Sequence, residues 1–328
     1  MHQVIILSEE DDAHIPYVTR HLRNCEVIVL DPSTISKGNE LTYWVNKGKV
    51  QLTYKGIVLS KVVGFWYRKP QLTARHNLPV PEGYRDYSYD ALRHHFLWLE
   101  NQFPNAIWMS PYYLLAAASN KVLQLKLASD FGFIVPETIC TSYPQAAKKF
   151  LKKYPATIIK PISTYSFFLK HTDGGERPVF FYATKVNRGE KVDLTNLHLA
   201  PTIFQQAIES VVGDLRVNIV GEKVFTSLIT NPGLTVKGSI RDWRIGHETG
   251  TLKIEQYDKL PKSIEKKCVA YIKAQGLNFG AIDLILDKKG EYWFLENNAN
   301  GQWAFIEEAT KQPIGKEIAH FLLYGKNI

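Results

Sequence analysis

Between residues 280 and 302 the chain reads Gly-Ala-Ile-Asp-Leu-Ile-Leu-Asp-Lys-Lys-Gly-Glu-Tyr-Trp-Phe-Leu-Glu-Asn-Asn-Ala-Asn-Gly-Gln, and no other stretch restricts the fold so tightly. Two apolar runs, 281–286 and 292–295, flank the turn signal Asp287-Lys288-Lys289-Gly290, which predicts a β-hairpin. Alternate residues of a strand share a face, so Glu296 and Asn298 project together and Asp283 meets them from the neighbouring strand. Two carboxylates and an amide carbonyl are hard oxygen donors of the kind Mg²⁺ takes, leaving room for waters and substrate phosphates. The competing reading is a surface hairpin with solvated polar residues. Against it, Asp283 is set among Ile282, Leu284 and Ile285, and a carboxylate on a buried strand needs a partner.

At 328 residues the chain is longer than one core usually organises, so two or three packed subdomains are expected. No apolar run reaches the length of a membrane span. Residues 1–7 lead into a strand without a charged, apolar and cleavage-site pattern, so a cytoplasmic protein with no membrane partner is expected. Cys25, Cys140 and Cys268 lie far apart without Cys-x-x-Cys spacing, as free thiols in a reducing compartment would. The excess of 40 Lys+Arg over 32 Asp+Glu favours anionic partners. There is no long basic block, zinc-finger spacing or RNP-like aromatic motif, so nucleic acid is not expected among them.

The chain opens as strand, helix, strand (4–7, 14–22, 26–30), a βαβ start without Gly-x-Gly-x-x-Gly and so without support for a Rossmann cofactor site. A meander is expected over 42–59 and a strand over 62–67, ending in Arg68 and Lys69, which could face substrate, the opposite domain or solvent. A helix over 86–101 carries His94 and His95, whose adjacent positions point to different sides and so argue against a metal pair. Next come a strand at 107–109, helices ending at 131 and 153, a strand at 157–160 and a hairpin of 165–171 with 179–184. Strands at 202–208, 213–221 and 223–229, a helix at 264–275 and an apolar helix at 314–323 complete the expectation.

An acid in one strand and Glu-x-Asn closing the next, followed by Gly301-Gln302-Trp303, resemble the metal site of ATP-grasp enzymes, and Asn120-Lys121 ahead of a helix with Val135-Pro136-x-Thr138 after it resembles the entry to the ATP-grasp central domain. Within that superfamily, Gly301-Gln302-Trp303, Trp66-Tyr67-Arg68 and Asp242-Trp243-Arg244 are similar to microviridin-type (graspetide) peptide maturases, to which the ribosomal-protein-modifying glutamate ligases are related. The resemblance covers nearly the whole chain. It implies an α/β (α+β) class: an ATP-grasp fold with an amino-terminal α/β pre-ATP-grasp domain (1–113), a central subdomain (114–200) and a carboxy-terminal subdomain with the metal site (201–328). ATP would lie between the last two.

The same resemblance implies roles for single residues. Lys160 and Lys121 would meet the α/β phosphates, and Gln205, Gln206, Ala207 and Ile208 would form the adenine hinge, acting mainly through backbone groups. Gln206 departs from the Gln-Glu of many relatives and offers an amide oxygen instead. Asp214 is a candidate for the ribose hydroxyls, and Arg216 for the reacting carboxylate or phosphate. Arg244 would stabilise the transferring γ-phosphoryl group with a planar, permanently charged fork, Arg241 being the weaker choice. Asp283, Glu296 and Asn298 would hold Mg²⁺, two ions being expected and Mn²⁺ an alternative. Ser163, Thr164 and Ser166 stand where a phosphate-covering loop is often glycine-rich. Read without the family, Lys160 is a solvated strand end and Asp214 a structural ion-pair partner.

The chemistry so implied is ATP-dependent ligation. A carboxylate takes the γ-phosphoryl group, and an amine or hydroxyl then displaces phosphate from the acylphosphate. The expected partner is a ribosomally made precursor peptide, and the expected assembly a homodimer. An amino-acid ligase and a non-catalytic nucleotide or peptide binder on the same scaffold are the alternatives.

Overall fold

The computed structural model describes residues 1–38, 40–70, 78–97, 99–162, 166–170, 176–180, 183–209, 211–231 and 251–327. Its first part contains β1 (His2–Ser8), β2 (Cys25–Leu30), β3 (Leu41–Asn46), β4 (Lys49–Tyr54), β5 (Ile57–Val58), β6 (Val62–Lys69) and β7 (Ile107–Met109). Four of these pair in parallel in the order β2-β1-β6-β7, while β3, β4 and β5 make a separate antiparallel meander.

Near-continuous apolar strands are what a parallel sheet covered on both faces requires. Val4, Ile6 and Trp66 belong to one core, which also takes Ile318 and Leu322 of the helix Ile314–Tyr324. A Cβ on Gly64 would come within 2.5 Å of the Leu322 carbonyl oxygen, so that helix seats itself on a position only glycine leaves open. On the other face Ile5, Leu7 and Phe65 meet Leu41, Leu52 and Tyr54 of the meander and Phe96 of the helix Arg85–Leu97. Each such side chain fully removed from water contributes about 1.5–3 kcal/mol. Helix is observed over Arg85–Leu97 and Leu99–Gln102, where one was expected over 86–101.

The middle of the chain supplies β8 (Thr138–Thr141), β9 (Ala156–Pro161), β10 (Ser166–Lys170), β11 (Glu176–Phe180), β12 (Thr184–Asn187) and β13 (Thr202–Gln206). An antiparallel sheet of order β12-β9-β13-β8 results, and β10 and β11 form their own hairpin. One expectation is corrected here. The single strand expected over 179–184 is two, since β11 ends at Phe180 and β12 leaves the hairpin to pair with β9. The strand β13 pairs with both β8 and β9, and Phe204 packs with Phe150 of the helix Pro144–Lys153 and with Ile159.

The last sheet is antiparallel with five strands in the order β16-β15-β14-β17-β18. These are β14 (Val211–Val220), β15 (Lys223–Thr230), β16 (Lys253–Gln256), β17 (Phe279–Asp287) and β18 (Tyr292–Asn298). One face buries Leu215, Val217, Ile282, Leu284 and Phe294 against Leu125 and Ala128 of the helix Lys121–Asp130 and Cys268, Tyr271 and Ile272 of the helix Lys262–Ala274. Among the described residues no helix is long and apolar enough to cross a membrane.

Candidate active site

The opposite face of that sheet carries the polar residues. Arg216 pairs in register with Asp283, and Asp283 with Glu296, so the three stand in one row across β14, β17 and β18. Asn298 occupies the next same-face position on β18. Its Nδ2 lies 3.0 Å from Asp283 Oδ2 and 3.4 Å from Glu296 Oε1. The predicted convergence of Asp283, Glu296 and Asn298 is therefore what the hairpin produces.

A β-bulge makes the convergence possible. Asp283 pairs with Glu296 while the next residue, Leu284, pairs with Phe294, so Leu295 is the extra residue of β18. Strict alternation would put Phe294 and Glu296 on one face. With the bulge, Phe294 is completely buried in the apolar core while Glu296 turns to the polar side.

Both acids have cationic partners. Arg216, only 5% exposed, places Nη1 3.1 Å from Asp283 Oδ1 and also donates to the Ala281 carbonyl. Lys121 Nζ stands 3.4 Å from Glu296 Oε2. The Lys121 position follows from local sequence: the Asn120 side chain accepts from the Val122 and Leu123 N–H groups, caps the helix Lys121–Asp130, and so turns its first residue toward β18. Lys121 and Arg216, assigned from sequence to phosphates and to the reacting group, thus rest on the two carboxylates.

The outer edge of β18 is held by a side chain that sequence reasoning missed. Gln124 accepts from the Asn297 N–H at 3.0 Å and donates to the Asn297 carbonyl at 2.9 Å, acting as a one-residue substitute for a neighbouring strand between Glu296 and Asn298. Its signal was an amide on the apolar stripe of a helix, in line with Ala128. Ile134 covers the same edge at Phe294, whose N–H donates to its carbonyl.

On the central sheet Lys160 pairs with Ile203 and Ile158 with Gln205, so these four share the face opposite Ile159 and Phe204. Gln205 is buried and donates to Thr138 Oγ1 at 2.9 Å. The Gln206 side-chain oxygen accepts from the Glu137 N–H at 3.4 Å, so the oxygen considered for adenine already has a backbone donor. Ala207 and Ile208 are buried directly after β13. Asp214 pairs with Ile285 two positions before Arg216, on the same face of β14. Arg241 and Arg244, with the expected hairpin turn at 171–175 and Ser163 and Thr164, lie outside the described residues.

A second cluster lies behind the β17–β18 hairpin. Arg68, 1% exposed at the end of β6, faces the carboxy-terminal part: its Nη1 donates to the Asn300 carbonyl at 3.1 Å, and its Nε lies 3.4 Å from Asp12 Oδ2. His14 Nε2 accepts from the Trp303 N–H at 3.0 Å, so its proton sits on Nδ1, 2.7 Å from Asp12 Oδ1. Burial lowers the His14 pKa, against the pull of Asp12, and keeps the ring neutral. Burial alone would raise the Asp12 carboxyl, but the His14 hydrogen bond and the Arg68 charge bring it down to about 2.

The donor set at Asp283 fits one kind of cation. Among the described residues no group of three or more His, Cys, Asp and Glu side chains stands together as an all-protein cage would require. Two carboxylates and an amide, already balanced by Arg216 and Lys121, suit Mg²⁺ that arrives with a phosphate chain supplying further oxygens.

No protein-family model and no curated protein matches the chain. Solved structures do. One is a Chryseobacterium gregarium RiPP-associated ATP-grasp ligase in complex with ADP and a leader and core peptide, with TM-score 0.87 and 24% identity over 99% of this chain and 98% of that one. Macrocyclase MdnC of Microcystis aeruginosa MRC, bound with precursor peptide MdnA, superposes with TM-score 0.79 and 26% identity over 98% of this chain and 99% of its own. ATP-grasp ligase PsnB, complexed with minimal precursor, Mg and ADP, gives 0.73 and 20% over 98% and 97%.

Proposed function

We propose that this chain, an ATP-grasp protein alike over nearly its whole length to microviridin-type peptide ligases, is an ATP-dependent carboxylate ligase that modifies a ribosomally made peptide. The observation that carries this reading is the row Arg216, Asp283 and Glu296 with Asn298 beside it and Lys121 on its flank. It supplies charge and position and no protein nucleophile. Ligation through an acylphosphate needs nothing more from the protein.

In the reaction a substrate carboxylate oxygen attacks the γ-phosphorus and the β–γ bridging oxygen departs with ADP. An amine or hydroxyl of Lys, Ser or Thr then attacks the acyl carbon, phosphate leaves, and an amide or ester remains. Lys160 and the backbone of residues 205–208 would seat the nucleotide, Asp214 the ribose, and Arg244 the γ-phosphoryl oxygens. Asp283, Glu296 and Asn298 would hold Mg²⁺, which when bound neutralises the phosphate chain, the Asn298 amide turning its oxygen inward. Two ions, with Mn²⁺ as a substitute, a homodimer and a cytoplasmic setting belong to the same proposal. So does the division at 113/114 and 200/201.

The test is incubation with ATP, Mg²⁺ and a peptide encoded beside the gene. The expected result is peptide-dependent ADP release with the loss of one water per linkage in the peptide mass. ADP release driven equally well by free amino acids, with the peptide unchanged, would transfer the reading to an amino-acid ligase. No ADP binding at all would end it.

A further inference from the structure

We infer that Asp12, His14 and Arg68 are positioning residues through which the amino-terminal sheet fixes the loop leaving the metal hairpin, and with it Asn298. This rests on the ligase reading above and adds residues that no sequence motif marked, apart from Arg68.

The loop in question runs from Asn298 to Trp303. Its inner side is set by β17 and β18: the Gly301 N–H donates to the Asn298 carbonyl at 2.9 Å, and a Cβ on Gly301 would fall 2.7 Å from that of Ala281. Its outer side is set by another part of the chain. Arg68 Nη1 donates to the Asn300 carbonyl, the Asn300 Nδ2 donates back to the Arg68 carbonyl, and the Trp303 N–H donates to His14. The His14 ring meets Trp303 edge-on with ring centroids 5.1 Å apart. Two loop residues are thus gripped at their backbone within five positions of a candidate metal ligand.

The Asp12 and Trp303 contacts agree on one tautomer of His14. Asp12 accepts from His14 Nδ1, which leaves Nε2 as the acceptor that the Trp303 N–H needs. Arg68 Nη2 lies 3.0 Å from Nδ1 and 3.3 Å from Nε2, and in this tautomer only Nε2 can accept from it. Arg68 is a guanidinium with almost no exposure, and Asp12 is the carboxylate beside it. A charge pair buried to this degree is costly to break on one side, which makes it a rigid support. Groups that orient a metal ligand from outside characteristically change metal affinity by about 10–100-fold when altered.

The experiment is calorimetric titration of the whole protein with ADP, once with excess Mg²⁺ and once with EDTA. Wild type is expected to bind ADP more tightly with Mg²⁺. In His14→Leu that gain should shrink by about 10-fold, at unchanged affinity in EDTA. His14→Gln should restore most of it, because its amide can accept from the Trp303 N–H and donate to Asp12. A purely structural role would lower the melting temperature and leave the Mg²⁺ gain intact. A wild-type gain in folded His14→Leu therefore overturns the inference. Should His14→Leu fail to fold, the same comparison on the half-buried Asn300→Ala decides, with the same two outcomes. Absence of any Mg²⁺ gain in wild type would instead overturn the ATP-grasp reading, and this inference with it.

Discussion

The two faces of the five-stranded sheet are built from the same strands and do opposite work. On one, Leu215, Val217, Ile282, Leu284 and Phe294 have no exposed surface and meet two helices. On the other, interleaved residue by residue, stand Asp214, Arg216, Asp283, Glu296 and Asn298. The apolar face needs only volume and tolerates no water. The polar face needs charge balance, because carboxylates on a packed sheet are stable only with partners. The difference teaches that neighbouring positions in one strand should fail in different ways.

The largest expected effect is on the apolar side. Phe294→Ala should cost about 3–5 kcal/mol of stability, read by denaturant unfolding, as a large aromatic lost from a closed core does. On the polar side Glu296→Gln should cut peptide-dependent ADP release by about 10²–10³, as losing an electrostatic stabiliser of the transition state does. Its unfolding free energy should change by no more than about 1 kcal/mol, since only a part-exposed ion pair with Lys121 is lost. Asn298→Asp should be milder in turnover, because an oxygen ligand remains. Full wild-type ADP release by Glu296→Gln would erase the distinction between the faces.

Gln124→Leu sits between the two faces and should show both effects at reduced size. The Asn297 backbone groups would lose their partners at a cost of about 1–3 kcal/mol, and turnover should fall with stability. A loss of stability alone would show that the clamp does not reach Glu296. Smaller still is the contrast within nucleotide binding. Lys160→Ala should weaken a non-hydrolysable ATP analogue more than Lys121→Ala, because Lys160 stands at the end of β9 on the sheet face it shares with Gln205; wild-type affinity in both by calorimetry would remove the assignment.

The smallest effect is one of pH. A His14 pKa depressed in the folded protein means the unfolded chain binds the proton first. Its stabilising contribution is therefore complete above the ordinary value of 6.5 and is lost as pH falls below it toward the depressed folded value. Unfolding free energies measured from pH 7 to 5 should decline less steeply in His14→Gln than in wild type.

The hairpin, the two acids and the amide were legible because strand alternation and a turn signal are local properties. The bulge was not: period two puts Phe294 with Glu296, and only the competition between a closed core and a charged row adds the residue that separates them. Arg68 was visible as a charge ending an apolar strand, but its direction depended on Asn300, far along the chain. Asp12 and His14 left no motif, since a buried ion pair and a neutral ring are defined by what surrounds them. The passage of β12 to the central sheet was hidden for the same reason.

One feature of the first sheet bears on how the chain is made. Val4, Ile6 and Trp66 are covered by a helix, Ile314–Tyr324, that leaves the ribosome only after every strand of all the sheets. Until then one side of that parallel sheet has Ile15, Val18 and Leu22 to cover it without the helix and stays partly open to solvent. Contacts so distant in sequence also slow folding, since the connecting chain must be ordered before they form. Messages that end early, losing only that helix, should therefore yield aggregates rather than a shortened folded protein, although every residue of the β17–β18 hairpin would have been translated.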